Sequence, residues 1–456
     1  MKGPAAVCVS LLPWFVLLTP RDAAGQAVSG TIAGYVYDSS SAVIANAQVT
    51  AVNVETGVST VRTSDSTGRY VVTNLVPGTY SVRVEAAGFR RFVQDNIVLR
   101  VDSVVRVDPQ LELGAVTEQV VVSAAPPMLN SEKTDVGQYI PQKQLQELPT
   151  FGRNLSKLYN TVPGVIQNSF QIGAGENPSE FNGTVVNGQF FGNSEYEIDG
   201  ITDTACCFSG FQVIVPNQDS VQEVKITTAA YDPEFGSSAG LVAQYVTKSG
   251  TNELHGSAFA FNRNKFSFAA DPFTEKLPNT GDGGKGFGPA PFNWNQFGGS
   301  LGGPLKRNKM FWFGDFQATL ARQGGQRTAT VPNDAFRLGD FSALARNPIF
   351  DPLTGTATGA GRQQFAGNRI PANRINPVAR NLLELLPRAN LSQATDVNFV
   401  GGGTVKQDSK QGDVRFDYNI SDSDKLFVRY TLFTSQLDNP PVFGKVAGGL
   451  AVGSLS

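Results

Sequence analysis

The chain has 456 residues, with 37 basic and 39 acidic side chains and a formal net charge of −2. That balance argues against a nucleic-acid binder, and a single histidine leaves little for histidine-based catalysis or a zinc site. The length allows two or three domains. Its 48 glycines and 31 phenylalanines suit a β-rich protein with many turns, or a transmembrane barrel whose strands spread apolar residues over alternate positions.

Residues 1–27 read as an export signal. Lys2 supplies a short positive region, residues 7–18 are apolar but interrupted by Ser10 and Pro13, and Ala23, Ala24, Gly25 and Ala27 offer cleavage after Gly25 or Ala27. The apolar run is too short to cross a bilayer as a helix. No later segment would do so, and an exported chain is then released or embedded as a barrel. Cys8 leaves with the signal. The adjacent Cys206 and Cys207 could close a strained ring, pair elsewhere, or be two small loop residues.

Residues 28–113 alternate short β-formers with turns. Strands are expected over 30–37, 47–53, 58–64, 70–75, 79–86, 89–98 and 104–113, punctuated by Ser66-Thr67-Gly68 and Val76-Pro77-Gly78. Short, evenly spaced strands predict a small antiparallel β-sandwich. Gly68-Arg69-Tyr70, Leu75-Val76-Pro77-Gly78, Tyr80-Ser81-Val82 and Gly88-Phe89 make the segment resemble the carboxypeptidase regulatory-like domain. The resemblance implies a carbohydrate-binding-like fold. Sugar binding is an expectation at the level of fold only, set against a purely structural extension.

A linker follows over 114–130. Within it Glu118, Gln119, Val120, Val121, Val122, Ser123 and Ala124 form an extended β-former, and Pro126-Pro127 then bars regular structure. Such a strand either adds to the edge of a partner's sheet or is the last strand of the sandwich.

Residues 131–250 hold short helical pieces at 141–148 and 155–159, a turn at Pro163-Gly164-Val165, strands ending at Asn187-Gly188 and Ile198-Asp199-Gly200, an alternating run over 221–226, and Tyr231-Asp232-Pro233-Glu234-Phe235-Gly236. In that order, with Leu148-Pro149 before them and 246–252 after, these pieces resemble the plug domain of TonB-dependent outer-membrane receptors. The likeness is strongest to the Oar-like group, which also carries the regulatory-like extension. It implies an α+β plug, a TonB box at Glu118 to Ala124, and energy from the TonB–ExbB–ExbD complex. The cargo would be a large ligand of siderophore, glycan or peptide class. Apical plug loops would touch it, with Gln171, Asn177, Phe181, Asp203, Phe208 and Phe211 as candidates. Asp199 and Asp203 could suggest a metal pair, but Asp199 before Gly200 is better read as a turn residue.

Residues 251–456 are read as barrel wall. Strands are expected over 254–263, 293–303, 309–320, 413–420 and 425–434. Val414, Phe416, Tyr418 and Ile420 share one face, and Arg415, Asp417 and Asn419 the other. Leu426, Val428, Tyr430 and Leu432 alternate with Phe427, Arg429 and Thr431. This period of two sends apolar residues to lipid and polar ones to the lumen. Short turns at 303–308 and 421–424 alternate with long connections at 265–292 and 321–412, as periplasmic turns and extracellular loops do. The stretch 240–264 is the expected junction of plug and wall, with Ser249 to Asn252 at the periplasmic rim. The fold expected is mainly β: an N-terminal antiparallel sandwich, a plug, and the first five or so strands of an incomplete transmembrane β-barrel. A plugged transporter barrel needs about 22 strands, and this implies a piece of a longer protein. No catalytic set, cofactor or metal site is expected. His255 begins a strand, and the glycines of 281–288 lack the strand and helix of a phosphate cradle. A carbohydrate-binding or adhesive surface protein is the alternative function.

Overall fold

The structure, a computed structural model, describes residues 29–114, 119–122, 135–169, 182–205, 212–236, 238–267, 292–344, 346–391, 397–422 and 424–451. The first unit is a two-sheet sandwich. Its strands are β1 (Gly30–Tyr35), β2 (Tyr37–Asp38), β3 (Gln48–Asn53), β4 (Ser59–Thr63), β5 (Arg69–Leu75), β6 (Gly78–Glu85), β7 (Arg91–Leu99), β8 (Val104–Arg106), β9 (Gln110–Leu111) and β10 (Gln119–Val122). One sheet has the order β5-β1-β8 and the other β10-β7-β6-β3-β4, with β2 and β9 paired beside them. Alternate residues point inward, so Ile32, Val49, Val72, Val82, Val84, Ile97 and Leu99 make the core. Tyr70 and Tyr80 are buried with them, and their hydroxyls give hydrogen bonds to the Val107 and Val76 carbonyls, both at 2.7 Å.

The sandwich is not purely antiparallel. β1 with β8, β2 with β9, and β7 with β10 run parallel. After β7 the chain crosses from one sheet to the other, and β8 then lies beside β1 in the same direction. The expected strand over 104–113 divides because Pro109 has no N–H to give a ladder.

The central unit holds β11 (Val136–Pro141), α1 (Gln142–Glu147), 3-10 turns at Phe151–Arg153 and Leu155–Thr161, β12 (Val165–Ser169), β13 (Asn182–Val186), β14 (Glu195–Ile198), β15 (Ile201–Thr202), β16 (Val221–Ala229) and β17 (Val242–Thr247). Its main sheet has the order β11-β16-β17-β14-β15, and β12 and β13 form a separate hairpin. Helical pieces sit where expected, but only one six-residue α-helix forms among the described residues, so the unit is chiefly β. β16 and β17 are covered on both faces. Val224, Ile226, Ala243 and Tyr245 enter the core, while Glu223, Lys225, Thr227 and Gln244 are buried on the opposite face. Double coverage explains why β17 shows an almost unbroken run of buried positions.

The third unit is a five-strand antiparallel meander of β18 (His255–Asn264), β19 (Phe292–Lys306), β20 (Met310–Ala329), β21 (Phe399–Asn419) and β22 (Lys425–Asp438). One face exposes Phe297, Leu301, Phe316, Val414, Phe416, Val428, Tyr430 and Leu432. The other buries Gln296, Phe313, Asp315, Thr319, Gln411 and Arg415. The exposed apolar band gives way to polar residues near the register that aligns Asn262, Asn295, Leu320, Asp408 and Gln436. Asn262 there donates to Asn293 and Asn295, and Arg322 pairs with Asp408 at 2.5 Å. A membrane-crossing strand needs about 9–11 residues. β20 and β21 have 20 and 21 residues, so about half of each continues past the apolar band.

The connection expected over 321–412 is therefore narrowed to 330–398, and its described residues hold local structure. α2 (Asp334–Arg337) and α3 (Pro377–Leu385) form within it, the latter capped by the Asn376 side chain with Pro377 in its first turn. Asn368 donates to the carbonyls of Phe341, Leu344 and Asn347 and accepts from the Ile349 N–H. Among the described residues no helix is long and apolar enough to cross a membrane.

Candidate functional site: the junction of central unit, wall and sandwich

β17 and β18 do not pair with each other; one is the middle strand of the central sheet and the other the edge strand of the five-strand sheet. The chain between them passes close to the wall backbone. A Cβ at Gly250 would lie 2.3 Å from the Trp312 carbonyl oxygen and 2.5 Å from that of Gly303. Ser249 donates to the Asp417 carboxylate at 2.8 Å. His255 stacks on Phe313, and its Nδ1 lies 3.1 Å from the Glu253 carbonyl oxygen and 3.3 Å from the Thr251 hydroxyl. These contacts make it a structural residue of the wall.

Above this crossing sits an ionic hub. Asp199 and Gly200 form the tight turn between β14 and β15, with φ of 51° and 77°, the left-handed pair that a type I′ hairpin requires. The turn was expected; the use of its carboxylate was not. Asp199 accepts from the Thr247 N–H at 2.9 Å, the Thr247 hydroxyl at 2.6 Å and Arg415 Nη1 at 3.1 Å, and Arg429 Nε lies 3.5 Å away. Arg415 also bonds Asp417 at 2.9 Å and lies over the Phe427 ring. The metal pair raised for Asp199 and Asp203 is excluded by this arrangement, because two arginines already occupy the Asp199 carboxylate.

The sequence does carry one sign of the hub. Arg415 and Arg429 are direct cross-strand partners on β21 and β22. Like charges directly opposite are destabilising unless an anion lies between them.

Other links between central unit and wall are polar as well. Asn217 Nδ2 donates to Asp315 at 2.5 Å, and Gln296 Nε2 to the Gly152 carbonyl at 3.0 Å. Arg153 pairs with Asp219 at 2.5 Å and lies 4.0 Å from the Phe259 ring centroid.

The sandwich docks from the other side. Lys225, 2% exposed, pairs with Asp102 of the sandwich at 2.5 Å and with Asp135 at 2.7 Å. Burial opposes its charge, but Tyr139, Asp102 and Asp135 outweigh burial and raise its pKa. Glu223 accepts from the Val101 N–H at 2.5 Å, and burial raises its pKa. Asn252 donates to the carbonyls of Glu55 and Thr56, and Lys425 to that of Asn74 at 3.2 Å. The carboxylates of Asp102, Asp232 and Glu234 fall within 4.8 Å of one another, but Lys225 already neutralises Asp102.

Asp203 is half-buried in the central unit. It accepts from the Ile214 N–H at 3.1 Å, and burial pushes its pKa up to about 7 against the opposing bonds from Gln212 and Ile214. The other ligand candidates, Gln171, Asn177, Phe181, Phe208 and Phe211, lie outside the described residues, as do Cys206 and Cys207. Of the extended segment, Gln119 to Val122 form β10, the outer strand of the larger sandwich sheet, and Glu118, Ser123 and Ala124 lie outside the described residues.

Comparison with known proteins agrees with this layout. Residues 31–112 match the carboxypeptidase regulatory-like domain and residues 246–455 the outer membrane beta barrel domain. The TonB-dependent transporter Oar of Myxococcus xanthus is 28% identical over 365 residues, covering 76% of this chain and 32% of its own length. The chain thus spans about a third of that relative. Among solved structures, the outer membrane transporter YddB of Escherichia coli superposes with a TM-score of 0.40 at 16% identity, over 67% of this chain and 34% of its own. The siderophore receptor PirA of Acinetobacter baumannii gives 0.33 at 12%, over 68% and 32%. The barrel-domain match spans all five strands of the meander, and the matches locate the protein in the outer membrane.

Proposed function

We propose that this chain, a homologue of the TonB-dependent transporter Oar, moves a large ligand of siderophore, glycan or peptide class through a plugged barrel. In this reading β18 to β22 are wall, residues 135–248 are plug, and the sandwich stands in the periplasm. Ligand contact at the apical loops around Gly173–Phe181 and Thr202–Phe211 shifts the plug. Residues 118–124 then serve as the TonB box, through which the TonB–ExbB–ExbD complex supplies force.

The observation that supports this most is the chemistry of the contact between plug and wall. It runs through Asp199 with Arg415 and Arg429, and Asn217 with Asp315. Charged and amide groups can exchange such partners for water. A plug held this way can shift without opening its own core, in which Tyr159, Tyr196 and Tyr245 are packed. Contacts between units that move are more polar than those of permanent assemblies.

The test is deletion of residues 118–124 in the full-length protein in cells. Energised uptake should vanish while ligand binding at the cell surface persists. Uptake that survives the deletion contradicts the role given to the segment.

A further inference from the structure

We infer that Asp315 and Asp413 hold one proton between them while the central unit is packed on the five-strand sheet, and lose it when the two units separate. This proton sharing follows from the packing alone and does not depend on transport. The two residues are direct cross-strand partners on β20 and β21, in a rung that continues to Ser300 on β19 and Thr431 on β22. They are 9% and 6% exposed. One oxygen of each is satisfied: Asp315 Oδ1 accepts from Asn217 Nδ2 of the central unit at 2.5 Å, and Asp413 Oδ1 accepts from the Thr431 hydroxyl. The Oδ2 atoms are buried, and no protein donor reaches either.

The two carboxyl groups lie within hydrogen-bonding reach of each other. Ionised, both are acceptors only, and a proton between them turns repulsion into a hydrogen bond. Like charges this close in a buried site do not both ionise. The rung two residues along makes the contrast. Arg415 and Arg429 are also like charges directly opposite, and there the central unit supplies Asp199 as the counter-ion. To the acid rung it offers the Asn217 amide instead of a cation.

The charged groups nearest the pair are Asp219 and Lys248 of the central unit and Arg429 of the sheet. Asp219 adds to the repulsion and is itself held by Arg153. Arg429 is turned to Asp199, and among the described residues Lys248 is ion-paired with neither acid. A divalent cation is the other species that bridges two carboxylates. Such ions take about six to eight oxygen ligands, whereas Asn217 and Thr431 point hydrogens at this pair. Separation of the units admits water, each carboxyl then ionises in its ordinary range, and the proton leaves. Packing therefore takes a proton up, and it weakens as pH rises above that range.

Infrared difference spectroscopy of the full-length, membrane-embedded protein reads protonated carboxyl groups directly. Asp315→Asn, Asp413→Asn and the double variant are each compared with the unsubstituted protein at pH of about 7. The double variant should lose the intensity of one protonated carboxyl. No loss means two carboxylates and a loss of two means two independent acids; either overturns the inference. Each single substitution should shift or remove the same band, because it takes away one of the two groups that share the proton. A band indifferent to either single variant overturns the sharing, and the singles keep the test open should the double variant fail to fold. A band that appears only after treatment with a chelator overturns it in favour of a bound metal ion. The urea midpoint should also fall less between pH of about 5 and about 8 in the single variants than in the unsubstituted protein. An unchanged fall overturns the link between proton and packing.

Discussion

Arg415 and Asp199 stand 216 residues apart in the chain and 3.1 Å apart in space, one on the five-strand sheet and the other at the turn tip of the central sheet. Both are almost fully buried, and Arg429 approaches the same carboxylate. Removing one member of a buried pair strands the others and costs about 3–5 kcal/mol. Asp199→Ala should therefore destabilise the packing of the central unit on the five-strand sheet by that order, read as a lower urea midpoint. Asp199→Leu combined with Arg415→Met should recover part of the loss. A single substitution within about 0.5 kcal/mol of the unsubstituted protein would show that the hub does not hold the two units together.

The Lys225 clamp should behave in the same way. Lys225→Ala leaves Asp102 and Asp135 facing each other without their cation and should cost about 3–5 kcal/mol. It should also speed proteolysis between sandwich and plug. Asp102→Ala, which leaves Lys225 its bond to Asp135, should cost less. The ranking of the two by cleavage rate checks the assignment, and an inverted ranking contradicts it.

Asp203 gives the central unit a pH dependence. Burial lifts its pKa to about 7, against about 4 in an unfolded chain. Between those values the folded central unit keeps a proton that the unfolded chain has lost. Stability therefore falls as pH rises from about 4 to about 7 and levels off above. Asp203→Asn should remove this contribution. Urea midpoints at pH of about 5 and about 8 should differ less in the variant; an identical difference in both proteins contradicts the assignment.

Gly250→Ala tests the crossing from the central unit to the five-strand sheet. The added methyl would meet two backbone oxygens, of Trp312 and Gly303, and backbone cannot rotate aside as a side chain can. Overpacking of this kind costs about 1–3 kcal/mol, readable as a lower unfolding midpoint. An unchanged midpoint would mean that the crossing is looser than described.

Much of the wall was legible in the sequence. Val414, Phe416 and Tyr418 on β21, and Leu426, Val428 and Tyr430 on β22, keep a strict period of two because one face of the sheet is exposed and the other packs against the central unit. The signal fails where that constraint ends. Arg322, Gln323, Gly324 and Gly325 show no apolar alternation, yet they continue β20 because β21 pairs with them through Val405 and Thr404. β11 escaped notice for a similar reason: only Ile140 is buried in it, and its form comes from pairing with β16. The Asp199 turn was plain from Asp199-Gly200, since the backbone demand is local. Its arginine partners were not, because no local pattern links residue 199 to residues 415 and 429.

The central claim is that residues 135–248 form a plug that a pull on residues 118–124 draws out of the wall. Force spectroscopy tests this most directly, with the membrane-embedded full-length protein pulled by the immobilised periplasmic domain of TonB. The account expects extension by the length of the plug while the wall stays intact, at a force lowered by Asp199→Ala. Detachment of TonB or rupture of the wall before any plug extension, unaffected by Asp199→Ala, would contradict it.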